Sequence, residues 1–317
     1  MDEPISLPST DAFTSPYSNV NDTFKHNSCL REQFDTKVGN ETTTRMAHGF
    51  LLAPASFITQ NLYVPVLGMT KVECFRDIMV PGRSSHVPIT KRGRVVDPIA
   101  WEDKKNVLFW RGSTTGGKYG TWGNPPAPWY GFHRIRLVEW AKQFSLKYPD
   151  RVLDVGTHDS SSPGGKYQVD IGFSGTTQCD PDECEKIKQL YPMKAMVKFE
   201  QTKQYKYLIV VDGNAWPNRL QTYLETNSVI LFNGIFIDWV IWQLKPWVHY
   251  VPVKPDFSDL EEVMDWLQKH DDEAKKINEN AKASCDNKLR CSRCSVIRVT
   301  SCGICQFIHR VIKAVKQ

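Results

Sequence analysis

The segment from Lys206 to Arg219, Lys-Tyr-Leu-Ile-Val-Val-Asp-Gly-Asn-Ala-Trp-Pro-Asn-Arg, leaves few options for the fold. Tyr207 to Val211 read as an apolar strand that stops abruptly at Asp212-Gly213-Asn214, three turn formers. Pro217 suits the first turn of a helix, expected over Pro217 to Thr226, with Arg219 one or two residues inside it. A strand that feeds a tight turn and then a helix start is how α/β proteins hold phosphates, because free backbone N–H groups and the helix dipole favour an anion. Arg219 adds a planar, permanently charged donor able to grip a diphosphate. Nucleotide or nucleotide-sugar chemistry is therefore the first expectation.

The rest of the chain supports the same class. Val107 to Trp110 reads as a short strand before a glycine-rich loop, and Phe132 to Phe144 carry Ile135, Leu137, Val138 and Trp140 at helical spacing. Strands are expected at Leu62 to Leu67, Arg151 to Val155, Val229 to Phe232 and Tyr250 to Val253, and a short helix at Glu183 to Leu190. Ser258-Asp259-Leu260-Glu261 reads as a capping box opening a helix to about His270, and a further helix covers Asp272 to Ala283. Strands and helices alternating at this size predict a parallel sheet in an α/β domain. Residues 1–48 are polar and loop-like, and residues 82–104, basic and proline-containing, read as a connection between two domains.

Bulk properties exclude more than they choose. The 317 residues can bury a sizeable core and hold two domains, and 41% hydrophobic with 24% charged residues is ordinary for a globular protein. A net charge of +5 from scattered basic residues argues against a nucleic-acid partner and suits an anionic small ligand. No apolar run reaches the ~18 residues that span a bilayer, and the first twenty residues lack the pattern of a signal peptide. Two glycosylation sequons, at Asn21 and Asn40, and nine cysteines concentrated near the end leave an oxidising compartment open.

Three motifs invite chemistry and are weighed against plainer readings. Gly112 to Lys118 fit the numerical core of a P-loop, but Tyr119 replaces the magnesium-binding hydroxyl and the prolines from Pro125 forbid the helix that must follow. A glycine-rich loop after a strand still offers N–H groups and hydroxyls to a phosphate or sugar. Asp180-Pro181-Asp182 is formally the D-x-D of metal-dependent sugar transferases, yet it sits between Cys179 and Cys184 and reads better as a cysteine-bracketed loop with helix-favouring acids, closed by a disulfide in an oxidising compartment. Cys291-x-x-Cys294 and Cys302-x-x-Cys305 are separated by too short a gap for a usual zinc ribbon. His133, His249 and His270 read as structural, and Trp216 is the tryptophan whose turn can place it beside a base or sugar.

Taken together, Trp110-Arg111-Gly112-Ser113, Lys206-Tyr207-Leu208 and Gly213-x-Ala215-x-x-x-Arg219 resemble glycosyltransferase family 90, the capsule-associated and protein O-glucosyltransferase family. Phe75-x-Asp77-Ile78-Met79-x-Pro81, Ser228 to Leu231 and Leu244 to Val253 agree with it in order, over roughly residues 60 to 290, in a form closer to the fungal, capsule-type branch. The resemblance implies a GT-B-like α/β architecture, two Rossmann-like domains facing a cleft. It implies inverting transfer of glucose or xylose from a uridine diphosphate sugar to a glycan or secreted protein, with no obligate cofactor or metal, in the secretory pathway. The family's diphosphate-contacting serine falls on Ser113, and its donor loop on Asn214, Ala215, Trp216, Pro217, Asn218 and Arg219. A family arginine falls on Tyr119, leaving Arg134 or Arg136 to substitute.

An inverting transferase needs a carboxylate to take the acceptor proton and fixed positive charge on the departing diphosphate. The family's base lies in an Asp-x-Pro segment whose counterpart here is Asp2, in Asp2-Glu3-Pro4, so the N-terminal domain is expected to be incomplete and any membrane anchor to lie in a longer form. The expected layout is a partial acceptor-side domain over 1–100, a donor domain over 101–290, and an atypical cysteine-rich basic tail over 291–317. Two rivals stay open: a non-catalytic remnant that still binds nucleotide sugar and, more distantly, a P-loop phosphotransferase.

Overall fold

Five parallel strands form the central sheet of the computed structural model, which describes residues 67–72, 78–80, 95–120, 129–153 and 165–285. In chain order the strands among the described residues are β1 (Leu67–Gly68), β2 (Thr70–Val72), β3 (Ile78–Met79), β4 (Lys105–Ser113), β5 (Gln168–Gly175), β6 (Tyr205–Val211), β7 (Val229–Asn233), β8 (Phe236–Asp238) and β9 (Val251–Pro252). The helices are α1 (His133–Lys147), α2 (Pro181–Leu190), α3 (Phe199–Thr202), α4 (Arg219–Tyr223), α5 (Leu260–Lys269) and α6 (Asp271–Ser284).

The large sheet has the order β5-β4-β6-β7-β9, with every neighbouring pair parallel. Alternate residues of each strand serve opposite faces, and both faces are covered. Tyr207, Ile209 and Val211 pack with Ile135, Leu137 and Val138 of α1, Ile187 of α2 and Leu260, Met264 and Leu267 of α5. Leu208 and Val210 pack the other way, with Leu220 and Leu224 around α4 and with Ala281 and Cys285 at the end of α6. This is a three-layer, Rossmann-like α/β arrangement.

Strand order also places the site. After β4 the chain moves to one side to lay down β5, then returns across β4 to add β6 on the other side. The order reverses between β4 and β6, so the loops leaving their C-terminal ends diverge and open a crevice. Those loops are the glycine-rich segment after Ser113 and the turn after Val211.

At the opposite end of the sheet, residues 95–104 are sewn into the fold. Asp97 pairs with the buried Lys104 Nζ at 2.9 Å and accepts from Asn227 N at 2.7 Å. Lys203 Nζ donates to Val96 O and Val95 N to Glu225. The short β2 joins antiparallel to β8, Thr70 opposite Asp238, and β1 pairs with β3.

Several elements differ from the sequence expectations. The helix expected over Pro217 to Thr226 is five residues long, and Pro217 precedes it. Bends occupy residues 213–216, and the Thr226 hydroxyl turns back onto Tyr223 O, so little chain is left to wind. The expected capping box does not form. Asp259 is the residue before α5, but its carboxylate accepts from Lys254 N at 3.0 Å, holding the preceding turn. Of the strand expected at Arg151 to Val155, Val152 makes one isolated bridge to Val169, and residues 154 and 155 lie outside the described residues. Leu67 belongs to β1, whereas residues 62–66 lie outside them. No helix among the described residues is long and apolar enough to cross a membrane.

Candidate functional site

Val211 ends β6 and Ser113 ends β4, where a register shift between Gly112 and Ser113 turns the chain out of the sheet. The two loops are tied to each other and to the start of α1. Gly116 N donates to Asn214 Oδ1 at 3.0 Å. Arg134, on the first turn of α1, donates through Nε to Asp212 O at 2.7 Å and through Nη1 to Ser113 O at 2.8 Å. His133 Nε2 meets the same Asp212 carbonyl at 2.9 Å, and because a carbonyl only accepts, that nitrogen carries the proton. Arg219 reaches the other way, from α4 to Arg111 O at 2.6 Å.

Close approach explains the glycines. Gly116 has φ +107°, and a Cβ there would lie 2.4 Å from the His133 ring and 3.1 Å from Gly213 O. A Cβ on Gly213 would lie 3.1 Å from Arg134 Nη2 and 3.2 Å from Thr115 Oγ1. Side chains at these positions would push the loops apart.

Electrostatically, the centre of the site is cationic. Burial, helped by the like charge of Arg219, lowers the Arg134 pKa to about 10, so the Arg134 guanidinium stays charged at neutral pH. Asp212, at the end of β6, is buried, and desolvation pushes its carboxyl up to about 7 against the opposing pull of the Ile235 and Phe236 N–H groups and of Arg134. Its Oδ2 accepts from Ile235 N at 2.7 Å and Phe236 N at 3.2 Å. Gly234 permits this, since a Cβ there would lie 2.6 Å from Asp212 Oδ1.

The glycine-rich loop is braced from its far side. Thr114 Oγ1 donates to Thr177 O at 2.7 Å and accepts from Thr177 N at 2.8 Å. Tyr119 N donates to Gln178 O and Asp180 N to Tyr119 O. A disulfide between Cys179 and Cys184 closes the bracing segment onto α2, whose N-cap is Asp180. The Asp-Pro-Asp segment is thus a disulfide-bracketed helix start.

Residues 174–296 match the family model described as Glycosyl transferase family 90. That stretch, the later part of the sheet with its helices, is similar to glycosyltransferase family 90. Protein 035R of Invertebrate iridescent virus 3, uncharacterised, is 28% identical over 233 residues, 69% of this chain and 19% of that protein. Protein 027R of Frog virus 3, also uncharacterised, is 32% identical over 237 residues, 68% of this chain and 23% of that protein. Protein O-glucosyltransferase 2 of Danio rerio is 41% identical over 87 residues, 27% of this chain and 17% of that protein. The chain spans about a fifth of the length of these curated relatives.

The sequence-derived site residues divide. Ser113 ends β4, Asn214, Ala215 and Trp216 lie on the turn after β6, with Ala215 O accepting from Gly213 N, and Arg219 opens α4 and reaches back to Arg111 O. Asn218 is exposed beside them and Pro217 is buried beneath. Arg134 is buried between the loops and spends its donors on their carbonyls. Arg136 is half-buried two positions along α1, about 200° around the helix from Arg134. Tyr119 is buried against Phe132 with ring centroids 4.8 Å apart. Asp2, the sequons and the four cysteines after Arg290 lie outside the described residues.

Other family 90 signatures turn out to build scaffold. Arg111 forms a buried ion pair with Asp170 at 2.6 Å, and Lys194 joins it at 3.0 Å. In the Leu244 to Val253 segment His249 Nδ1 accepts from Lys245 N at 2.9 Å, and Trp247, at φ +59°, packs edge-on against Trp266. His270 Nδ1 donates to Trp266 O at 2.8 Å. Asp212 and His133 were not among the residues that sequence reasoning selected for the site. The available signal was a carboxylate directly after five strand residues, which a parallel sheet delivers to its ligand-binding edge.

Proposed function

We propose that this chain carries the donor side of a glycosyltransferase that moves glucose or xylose from a uridine diphosphate sugar to a hydroxyl of a glycan or secreted protein. The observation that carries this reading is the Arg134–Arg219 pair, set where the loops of β4 and β6 meet at the switch point of a parallel sheet. Two like charges held close by the fold favour an anion, and a diphosphate supplies one. The family 90 match gives that anion a chemical context, and the similarity to Protein O-glucosyltransferase 2 of Danio rerio favours glucose.

In this reading Ser113 and residues 214–219 hold the diphosphate. Arg219, half-exposed at the loop, meets charge as it develops on the leaving group, while the buried Arg134 fixes the loops and supplies field. No obligate metal is required, and transfer inverts the anomeric centre with Asp2 as base. The full architecture is GT-B-like, with an acceptor-side domain over 1–100, this donor domain over 101–290 and a tail over 291–317. The Cys179–Cys184 disulfide supports a secretory-pathway setting.

The test is calorimetric titration of the full chain with UDP-glucose and UDP-xylose, followed by transfer assays on glycan and peptide acceptors with and without chelator. Arg219→Ala is expected to weaken donor binding roughly 10- to 100-fold, the worth of one or two charge-assisted contacts. Unchanged affinity removes Arg219 from the site. Donor binding without transfer to any acceptor favours a non-catalytic nucleotide-sugar-binding remnant.

A further inference from the structure

Two arginines set close together by the fold need a counter-charge whenever no donor is present. Arg134 Nε donates to the Asp212 backbone carbonyl at 2.7 Å, and the buried Asp212 carboxylate at the end of β6 acts on the same guanidinium as an opposite charge. Its position is over-determined. Oδ2 is fixed by Ile235 N and Phe236 N, its backbone carbonyl by Arg134 Nε and His133 Nε2, and its loop-facing side by Gly234. The carboxylate therefore cannot swing away from the arginines to reach water.

Resting on the donor reading above, we propose that Asp212 is the proton-linked counter-ion of the donor site: ionised, it balances the Arg134–Arg219 pair in the donor-free protein, and it takes up one proton from solvent as the diphosphate replaces it.

The groups that face Asp212 are Arg134 and His133 on α1, Asp238 on β8 and, through Arg134, Arg219 on α4. Arg134 favours the ionised form of Asp212, and the Asp212 charge in turn helps raise Asp238. Asp238 is itself raised, mainly by burial, while Val240 N and Ile241 N hold its Oδ1. With the Asp212 carboxyl at about 7, small changes in this field change its charge. A diphosphate adds two negative charges beside the same arginines and disfavours a second anion behind them. Linkage then requires donor affinity to rise as pH falls through the Asp212 titration. The only bond made is the carboxyl O–H, and the diphosphate of a nucleotide sugar stays doubly charged throughout.

Calorimetric titration of the full wild-type chain with UDP-glucose near pH 7, in two buffers of different ionisation enthalpy, counts the protons directly. Uptake of a fraction of a proton per donor is expected, with affinity about tenfold higher at about pH 6 than at about pH 8. Asp212→Asn is expected to abolish uptake and flatten the pH profile, and Asp238→Asn to preserve both. Donor binding without uptake in the wild type overturns the proposal, as does uptake that persists in Asp212→Asn. A wild-type chain that does not bind UDP-glucose overturns the donor reading, and this inference with it.

Discussion

Asp212 and Arg134 show how two buried charges are held at the junction of two loops. Arg134 makes no demand on solvent because Ser113 O and Asp212 O take its donors, and Asp212 stays buried because two amides and a guanidinium offset part of its desolvation. The offset is incomplete, which has a measurable sign. A carboxyl whose folded pKa is raised from the ordinary 3.8 to about 7 favours the fold when protonated; that contribution is fully present below about 4 and is lost as pH rises to about 7. Asp212→Asn mimics the protonated form. It is expected to leave the melting temperature unchanged near pH 4 and to raise it by several degrees near pH 8, on the order of 2–4 kcal/mol. A wild type and variant that melt together at both pH values would show that Asp212 ionises in the fold without cost. Sequence reasoning singled out Asn214 and Arg219 because turn formers and a cation after a strand have local meaning, and Ser113 through the family resemblance. It could not assign Arg111, whose partner Asp170 is 59 positions away and chosen by strand pairing.

At the scale of elements, patterns that depend on neighbours in sequence were legible and patterns that depend on neighbours in space were not. β4, β6, β7, α1, α5 and α6 follow their apolar spacing to within a few residues. β5, Gln-Val-Asp-Ile-Gly-Phe-Ser-Gly, was not foreseen, since Asp170 and Gly172 interrupt its apolar run. Asp170 is tolerated in a buried strand by Arg111 and Lys194, and Gly172 leaves room for the Lys194 stem, which would lie 2.8 Å from a Cβ there. Beyond β5 the disulfide segment pairs with the glycine-rich loop through Thr114–Thr177 and Tyr119–Gln178, so the brace is hydrogen-bonded directly to that loop. Cys184→Ser is expected to cost about 2 kcal/mol, the loop-closure entropy of so short a ring, and to weaken donor binding several-fold by loosening residues 114–120. Denaturant titration with donor calorimetry checks both, and a stability loss with unchanged affinity would show that the loop holds without its brace.

The whole molecule is a parallel sheet with its ligand edge at one end and a polar seam at the other. In that seam Asp97 neutralises Lys104 and receives Asn227 N, so residues 95–104 close the base of the sheet. Asp97→Ala strands a buried ammonium, and a loss of about 3–5 kcal/mol is expected in chemical denaturation, with the donor site unaltered in the fraction that stays folded. The reading of residues 82–104 as a link between domains did not foresee this seam, because its partners lie beyond residue 200. The sheet's order has one more consequence, for its birth on the ribosome. β4 is the first strand of the large sheet to be made, yet both its neighbours, β5 and β6, come later in the chain. At a synthesis rate of about 5–20 residues per second, Val107-Leu108-Phe109-Trp110 waits roughly 3 to 20 s for its partners. During that interval the future centre of the sheet is a sticky, unshielded ribbon, and the nascent chain is a natural client for whatever chaperone meets it first.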